Sequence, residues 1–363
     1  MRILIDIGHP AHVHYFRAFY REMTSRGHEF LFVARQKEIA QDLLRGFGMP
    51  FYSRGKGRDS VLGKLAYMVY ADLSVLRHAL RFKPDLFLSF SSVYGSHVST
   101  ILRKPHVAFD DTEHASLARK MWAPFTDLVL VPTCFRGERT RKHIEFDGFM
   151  ELLYLRPNVF EPDETKLRVA GIQPGERFSF VRFVSWKAGH DYGANGFTEA
   201  RKRRLVAELL RFGRVVISSE APLPEDLEQY RLRIDPLDVH HFLRYAAVFV
   251  GESATMASES AVLGTPAVYV DPVGRGYTDR LESEFHLVAN FTTSEEDQDQ
   301  AINRAIEFLE NSDQGALEMK RRLLLNRTID MNDFLIEIAE TVFEQGRVDS
   351  PATYGKDKGR TTV

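Results

Sequence analysis

Short apolar runs alternate with stretches of helical periodicity from the start of the chain. The run from Ile3 to Ile7 is followed by a turn at Gly8-His9-Pro10 and then by apolar residues at helical spacing. This pattern predicts a strand, a loop and a helix. Gly27 is placed to end that helix, and the apolar run at 29–34 predicts the next strand. Continued alternation to about residue 131 is typical of a parallel sheet covered by helices.

The pattern is interrupted once and then begins again. Between residues 156 and 176 it breaks into Pro, Gly and charged residues, and a second series of apolar runs starts at Phe178. Further helices are expected at 37–46, 60–82, 297–311 and 317–344, and further strands at 86–90, 107–109, 128–131, 178–184, 215–218, 248–251 and 267–270. The chain is therefore predicted to be α/β, with an N-terminal domain at 1–155, a linker at 156–176, a C-terminal domain at 177–346 and a disordered tail at 347–363.

Composition narrows the function classes. With 48 basic and 50 acidic residues the formal net charge is -2, which argues against a nucleic-acid partner. The single cysteine, Cys134, supplies neither a disulfide nor a cysteine-based metal site and fits a reducing compartment. No signal peptide or membrane-spanning run is evident, so we expect a cytoplasmic location.

The segment from Val248 to Val270 carries the most chemical information. It is predicted to form a strand, a turn of small residues, a helix that starts near Ser253, and another strand. The N-terminus of such a helix offers unpaired N–H groups to a pyrophosphate, and the small residues Ala254 and Thr255 allow close approach. Glu259 is placed to accept hydrogen bonds from ribose hydroxyls. The alternative is that Ser253 simply caps a packing helix.

Two loops at the carboxyl edge of the first predicted sheet bear candidate catalytic groups. His9 or His12 is suited to act as general base on an acceptor hydroxyl, with Asp6 orienting the ring. A solvated histidine face or a metal site is the alternative, and we expect no metal because a third ligand is missing. In the second loop Asp111 and Glu113 are candidate catalytic carboxylates, or else part of a cap for the next helix.

The first strand of the second domain ends in a polar and basic segment. Arg182, Ser185 and Lys187 are placed to hold a diphosphate whose charge grows as a glycosidic bond breaks. A structural ion pair is the other interpretation of Arg182. Glu220 and His240 follow the next strands of the same edge as further candidates.

These motifs together resemble the domain of unknown function 354 family, whose members resemble glycosyltransferases of the GT-B type. The resemblance covers roughly residues 1–345 and rests on Asp6–His14, Asp110–His114, Val181–Trp186 with His190-Asp191, and the Gly251 segment. It implies two Rossmann-like domains that face a central cleft. The segment 248–270 is also similar to the donor motif of GT-B transferases and of non-hydrolysing UDP-N-acetylglucosamine 2-epimerases, in which the position of Glu259 binds ribose.

The resemblance implies a metal-independent enzyme that needs no cofactor. The leading hypothesis is a glycosyltransferase that moves a sugar from a nucleotide donor such as a UDP-sugar to a glycan or lipid-linked acceptor in surface polysaccharide synthesis. A nucleotide-sugar 2-epimerase is the runner-up, although the loop 89–96 lacks the carboxylate that epimerases carry there. A non-catalytic module that binds sugar nucleotides or glycans is the third hypothesis.

One segment raises the question of a membrane partner. Basic residues at Arg54, Lys56, Arg58 and Lys64 precede the apolar stretch 65–80. This arrangement is typical of a segment that contacts the inner face of an anionic membrane. It is equally typical of a core helix that is preceded by solvent-exposed basic residues.

Overall fold

The computed structural model describes residues 1–36, 39–58, 60–185 and 196–345. The chain divides into two compact units: Met1–Tyr154 together with the segment that begins at Thr328, and Leu155–Arg327. Both units are α/β, with parallel sheets and helices, as the sequence predicts. None of the described helices is long and apolar enough to cross a membrane.

Among its described residues, the first unit has one parallel sheet of seven strands in the order β3-β2-β1-β4-β5-β6-β7. The strands are β1 (Arg2–Ile7), β2 (Glu29–Ala34), β3 (Phe51–Ser53), β4 (Leu86–Phe90), β5 (His106–Phe109), β6 (Leu128–Pro132) and β7 (His143–Phe146). The helices are α1 (Pro10–Ser25), α2 (Ala40–Gly46), α3 (Val61–Phe82), α4 (Val93–Leu102), α5 (Ser116–Trp122), α6 (Leu152–Leu155, at the boundary between the units) and α13 (Met331–Gln345). The short strands β3 and β7 were not predicted.

Among its described residues, the second unit has a parallel sheet of five strands in the order β12-β11-β10-β8-β9. The strands are β8 (Phe178–Phe183), β9 (Arg214–Ser219), β10 (Val248–Gly251), β11 (Ala267–Val270) and β12 (Val288–Phe291). The helices are α7 (Glu199–Leu210), α8 (Val239–Tyr245), α9 (Ala254–Leu263), α10 (Gly276–Ser283), α11 (Glu295–Glu310) and α12 (Gln314–Arg327). Relative to chain order this is 2-1-3-4-5, a doubly wound arrangement.

Sequence patterning explains where these elements lie. Most of the strands are buried on both faces, so they appear in the sequence as largely apolar runs such as Ile3–Ile7. Hydroxyl side chains begin several helices: Ser60, Ser92, Thr198 and Ser294 each accept a hydrogen bond from a backbone N–H in the first turn of the helix that follows.

Two domain boundaries differ from the prediction. The segment 156–176, predicted as a linker, belongs to the second unit, where Leu167 and Ile172 are buried and the 3₁₀ helix Glu164–Ala170 packs on α8. The predicted single helix at 317–344 is instead two helices, α12 and α13. Only α12 stays with the second unit, where it packs on α9.

The second of these helices returns to the first unit. Helix α13 packs on α1 and β4, and its Phe334 ring lies 5.7 Å from the ring of Phe146 on β7. Helical periodicity reveals an apolar face but not the sheet that covers it, which is why the prediction placed α13 in the wrong unit. The predicted disordered tail at 347–363 lies outside the described residues.

Candidate functional site

Each sheet has one point at which the strand order reverses. In the first unit this point lies between β1 and β4, where Asp6 is in register with Ser89. In the second unit it lies between β8 and β10, where Arg182 is in register with Gly251. Open α/β sheets bind ligands at the carboxyl ends of the strands beside such a reversal. The candidate residues predicted from the sequence follow strands at these two edges.

Asp6 is the centre of a buried network at the first edge. Its Oδ1 accepts a hydrogen bond from Arg54 Nε at 2.9 Å, and its Oδ2 accepts one from the Ser92 hydroxyl. Arg54 also donates to the Tyr67 hydroxyl at 2.9 Å and lies over the Tyr94 ring, 4.3 Å from its centroid. Asp6 and Arg54 are 1% and 2% exposed, so this is a desolvated ion pair. The prediction that Asp6 orients a histidine is wrong, because both carboxylate oxygens bind other groups.

His9 and His12 lie at this edge as predicted, but their hydrogen bonds do not suit a general base. His9 Nδ1 accepts from the backbone N–H of Ala11 at 3.2 Å, which makes His9 the N-cap of α1. His12 Nδ1 accepts from the backbone N–H of Gly8 at 3.3 Å. An Nδ1 that accepts from an N–H carries no proton, so the neutral ring holds its proton on Nε2. Each ring can therefore donate a hydrogen bond from Nε2, but Nε2 has no lone pair with which to abstract a proton.

The loop after β5 holds two aspartates in different surroundings. Asp110 accepts from Arg119 Nε at 2.7 Å and from the backbone N–H of Thr112 at 3.0 Å, so it stabilises the loop. Asp111 is buried, and its burial together with the neighbouring carboxylates of Glu151 and Asp110 raises the pKa of its carboxyl group well above the ordinary value. A carboxyl group of raised pKa suits proton transfer near neutral pH.

The structure also tests the alternative that this loop caps a helix. Helix α5 begins at Ser116, its N-cap residue is Ala115, and that cap has no side-chain hydrogen bond. Glu113 is half-buried, and its Oε1 accepts from the backbone N–H of Arg136 at 3.4 Å, in the loop after β6. The first edge therefore places Asp111 and Glu113 in a loop that does not cap α5.

At the second edge the reversal point is exceptionally close-packed. A Cβ at Gly251 would lie 2.6 Å from the carbonyl oxygen and 2.8 Å from the Cβ of Arg182. Only glycine fits where β10 ends beside β8. The backbone of the turn from Gly251 to α9 is thereby brought against the neighbouring strand.

Helix α9 begins where the sequence predicts it. Ser253 is its N-cap, and the Ser253 hydroxyl accepts from the backbone N–H of Met256 at 3.3 Å. Ser253, Ala254 and Thr255 are half-buried and small, so the first turn has no bulky side chain near its leading N–H groups. Ser253 therefore caps α9, as the alternative interpretation predicted. This cap uses one N–H group of the first turn, so the other N–H groups of that turn can bind a ligand.

Arg182 forms an ion pair at the end of β8. Its Nη2 lies 2.6 Å from Glu220 Oε1, and its Nη1 donates to the Ser218 hydroxyl at 2.7 Å. The second carboxylate oxygen of Glu220 accepts from the backbone N–H of Ser185 at 3.0 Å. The sequence left two interpretations of Arg182, a diphosphate ligand or a structural ion pair, and the structure shows the ion pair. Lys187 lies outside the described residues, as do Trp186, His190 and Asp191.

Two carboxylates that sequence reasoning missed shape this edge. Glu252 is buried between β10 and α9, and its carboxylate accepts from the backbone N–H groups of Val184 at 2.8 Å and Phe197 at 2.6 Å. Asp271 follows β11 and accepts from the backbone N–H groups of Val273 and Gly274 at 2.8 and 2.9 Å. Each of these carboxylates comes directly after an apolar run that forms a strand. That position in the sequence could have identified both as residues of the carboxyl edge.

Glu259 is on the buried side of α9. Its Oε1 lies 2.9 Å from His240 Nε2, and the two side chains are 6% and 1% exposed. His240 belongs to the first turn of α8, so the two candidates predicted separately from the sequence are brought into one hydrogen-bonded pair. No group of three potential metal-binding side chains occurs within the described ranges.

Comparisons with known proteins agree with this architecture. The model of the family described as "Protein of unknown function (DUF354)" matches residues 1–167. This confirms the predicted resemblance for the part of the chain that holds Asp6–His14 and Asp110–His114, whereas the motifs from Val181 onward lie beyond the matched residues. An uncharacterised protein of Methanocaldococcus jannaschii is 23% identical over 281 residues, which cover 74% of this chain and 82% of that protein.

Solved structures share the fold at low sequence identity. The UDP-GlcNAc 2-epimerase of Methanocaldococcus jannaschii superposes with a TM-score of 0.65 at 10% identity, covering 94% of this chain and 99% of the epimerase. The spinosyn rhamnosyltransferase SpnG superposes with a TM-score of 0.60 at 15% identity, covering 94% of this chain and all (100%) of the transferase. The chain therefore has the two-domain fold shared by the GT-B glycosyltransferases and these epimerases.

Proposed function

We propose that the protein is a glycosyltransferase that binds a nucleotide-sugar donor at the carboxyl edge of its second unit. The observation that carries the proposal is the first turn of α9. It follows Gly251 directly at the reversal of strand order and bears only small side chains at Ser253, Ala254 and Thr255. Backbone N–H groups and the positive end of the helix dipole favour a pyrophosphate there.

The remaining contacts of the second edge support this assignment. Glu252 and Asp271 hold backbone N–H groups of the adjoining loops, so those loops have a defined shape before a ligand arrives. The buried pair of Glu259 and His240 joins α9 to α8 and so helps to hold the helix in position. Arg182, paired with Glu220, lies at the end of the neighbouring strand β8.

Proton transfer in the first unit falls to Asp111 under this proposal. Burial and the neighbouring carboxylates raise the pKa of this carboxyl group, which makes its ionised form a stronger base. It accepts the proton of an acceptor hydroxyl as that oxygen bonds to the sugar carbon and the bond from this carbon to the nucleoside diphosphate breaks. His12 donates a hydrogen bond from Nε2 to the acceptor. We expect the acceptor to be a glycan or a lipid-linked sugar of surface polysaccharide synthesis.

Two proteins of similar structure have been solved with nucleotide ligands. The Methanocaldococcus jannaschii epimerase has been solved with UDP-GlcNAc and UDP, and the spinosyn rhamnosyltransferase with thymidine diphosphate. A nucleotide diphosphate is common to both. An epimerase is the second candidate because Asp111 is also suited to removing a carbon-bound proton. The loop 89–96, which lacks a carboxylate, favours the transferase.

The first experiment is a thermal-shift screen of the full chain against UDP, GDP, CDP and dTDP sugars. A ligand that binds the native state raises the melting temperature. Ala254→Leu fills the first turn of α9 and should abolish the shift, whereas Ala200→Leu makes the same change in the first turn of α7 and should preserve it. A shift that survives Ala254→Leu would contradict the assigned site.

Product analysis then separates the two reactions. The sugar nucleotide found to bind is incubated without an acceptor and its sugar is analysed for inversion at C2. A transferase leaves the sugar unchanged and transfers it when acceptors are added. Epimerisation of the donor alone would replace the transferase proposal with the second candidate, and binding without any product would favour a binding module.

A further inference from the structure

Helix α3 is apolar on two opposite sides. Its inner side packs on the sheet, where Val75 and Ala79 join the buried cluster that contains Leu4 and Phe87. Its outer side, which we call the α3 apolar face, consists of Leu62, Leu65, Val69, Leu73 and Leu80, which are 80%, 53%, 58%, 60% and 57% exposed. Spacings of three, four, four and seven residues align these side chains along one side of the helix.

The fold of the described residues does not account for the α3 apolar face. A surface helix normally carries polar residues opposite its buried stripe. Helix α4, which packs beside α3, also exposes an apolar side chain, Ile101, at 60%. Contiguous exposed apolar surface of this kind marks an interaction site.

The exposed charged side chains described in α3 and in the loop before it are all cations. Five exposed cations, none of which forms an ion pair with a described residue, lie in α3 or in the loop before it: Lys56, Arg58, Lys64, Arg77 and Arg81. The one acidic residue within the bounds of α3 is Asp72, which is half-buried and lies 3.1 Å from His97 Nδ1. The exposed charged surface of α3 and of the loop before it, as far as the structure describes it, is therefore cationic.

We propose that the α3 apolar face docks on an anionic lipid bilayer. The leucines and Val69 enter the boundary between headgroups and acyl chains, and the five cations bind lipid phosphates. Tyr70, 56% exposed at the border of the face, has the amphipathic ring that is favoured at such an interface.

Charge decides between a bilayer and a second copy of this chain. A two-fold contact through the α3 apolar face would place the same surface patch on both sides and bring five cations against five like charges. An anionic bilayer neutralises them instead. The inference goes beyond the proposed reaction and does not rest on it, because it concerns a surface formed by α3 and the loop before it.

The test measures co-sedimentation of the full chain with vesicles of phosphatidylcholine alone and of phosphatidylcholine with phosphatidylglycerol. We expect binding to the anionic vesicles that falls as salt is raised. Leu65→Glu with Val69→Glu should weaken partitioning by more than about tenfold. Lys56→Glu with Arg58→Glu should weaken it by about fivefold or more for each charge removed.

Matched changes on the second unit serve as controls. Met319→Glu alters an apolar side chain that is 66% exposed on α12, and Arg168→Glu reverses an exposed cation. Both should bind vesicles as the wild type does, and all variants should keep the wild-type melting temperature because the altered side chains are exposed.

Three results would overturn the proposal. They are the absence of binding to anionic vesicles, equal binding to neutral ones, and equal binding by the Leu65 and Val69 double variant. If that double variant instead changes the mass measured by light scattering from dimer to monomer while vesicle binding stays constant, the face joins two copies of the chain.

Discussion

At the two points where the strand order reverses, buried carboxylates accept hydrogen bonds from different kinds of donor. At the first edge Asp6 accepts from the side chains of Arg54 and Ser92. At the second edge carboxylates bind backbone N–H groups, as Glu252 and Asp271 do. The first arrangement fixes ionisable side chains in place, whereas the second fixes the path of the main chain.

This difference agrees with the separate roles that the proposed reaction gives to the two units. Proton transfer needs a carboxyl group whose pKa is set by its surroundings, and the first edge holds such a group in Asp111. Binding a pyrophosphate needs backbone N–H groups in a defined turn, and the second edge provides them at α9. The proposal therefore assigns proton transfer to the first unit and pyrophosphate binding to the second.

The largest expected effect comes from removing one partner of the buried ion pair. Arg54→Met leaves the Asp6 carboxylate desolvated and should lower the free energy of unfolding by about 3–5 kcal/mol. Arg182→Met breaks a pair whose side chains are 20% and 40% exposed, so water screens it and the loss should be about 1 kcal/mol. Urea denaturation of both variants measures the two values. Equal losses would show that the edges do not differ in this way.

Glycines at the two reversal points give the next largest contrast. Gly251→Ala places a Cβ 2.6 Å from a backbone oxygen and should cost about 1–3 kcal/mol as well as nucleotide binding. Gly8→Ala is the matched change after β1, where the nearest atom to the new Cβ is 3.7 Å away, and its effect should stay within about 0.5 kcal/mol. Melting temperatures of the two variants compare them. A tolerated alanine at Gly251 would mean that β8 and β10 separate more easily than their register indicates.

The last change, at Asp111, is expected to raise the free energy of unfolding, whereas the first two contrasts concern changes that lower it. Burial raises the pKa of Asp111, so the folded protein favours the protonated acid, while the unfolded chain ionises near the ordinary value of 3.8. The stability that Asp111 contributes is therefore complete below pH 3.8 and is lost as pH rises toward its folded-state pKa. Asp111→Asn stays neutral and should be more stable than the wild type at neutral pH.

This effect is tested by measuring melting temperatures from pH 5 to pH 8, in steps of roughly one pH unit. The advantage of Asp111→Asn should grow with pH, and transferase activity should be lost because the asparagine cannot accept a proton. Thr112→Val is the control, since it removes the hydroxyl that donates to Asp111 at 3.1 Å and keeps the carboxyl group. A stability difference that does not change with pH would remove the electrostatic explanation.

The sequence was informative about local features and less so about partners. It predicted the helix that begins after Ser253 and the bounds of β4, because capping residues and apolar runs act within a few positions of the chain. It mispredicted Asp6, whose partner Arg54 lies 48 residues away. It also missed Glu252, whose carboxylate joins segments up to 68 residues distant.

By itself, the sequence determined the α/β class, the division into two sheets and the turn at α9. These follow from periodicity, glycine placement and helix capping, which depend on neighbouring residues. Only the tertiary structure decided that α13 joins the first unit, that His9 and His12 accept hydrogen bonds at Nδ1, and that Asp111 is a carboxyl group of raised pKa. Burial, tautomer and pKa depend on the groups that surround a side chain, and folding brings those groups from distant parts of the chain.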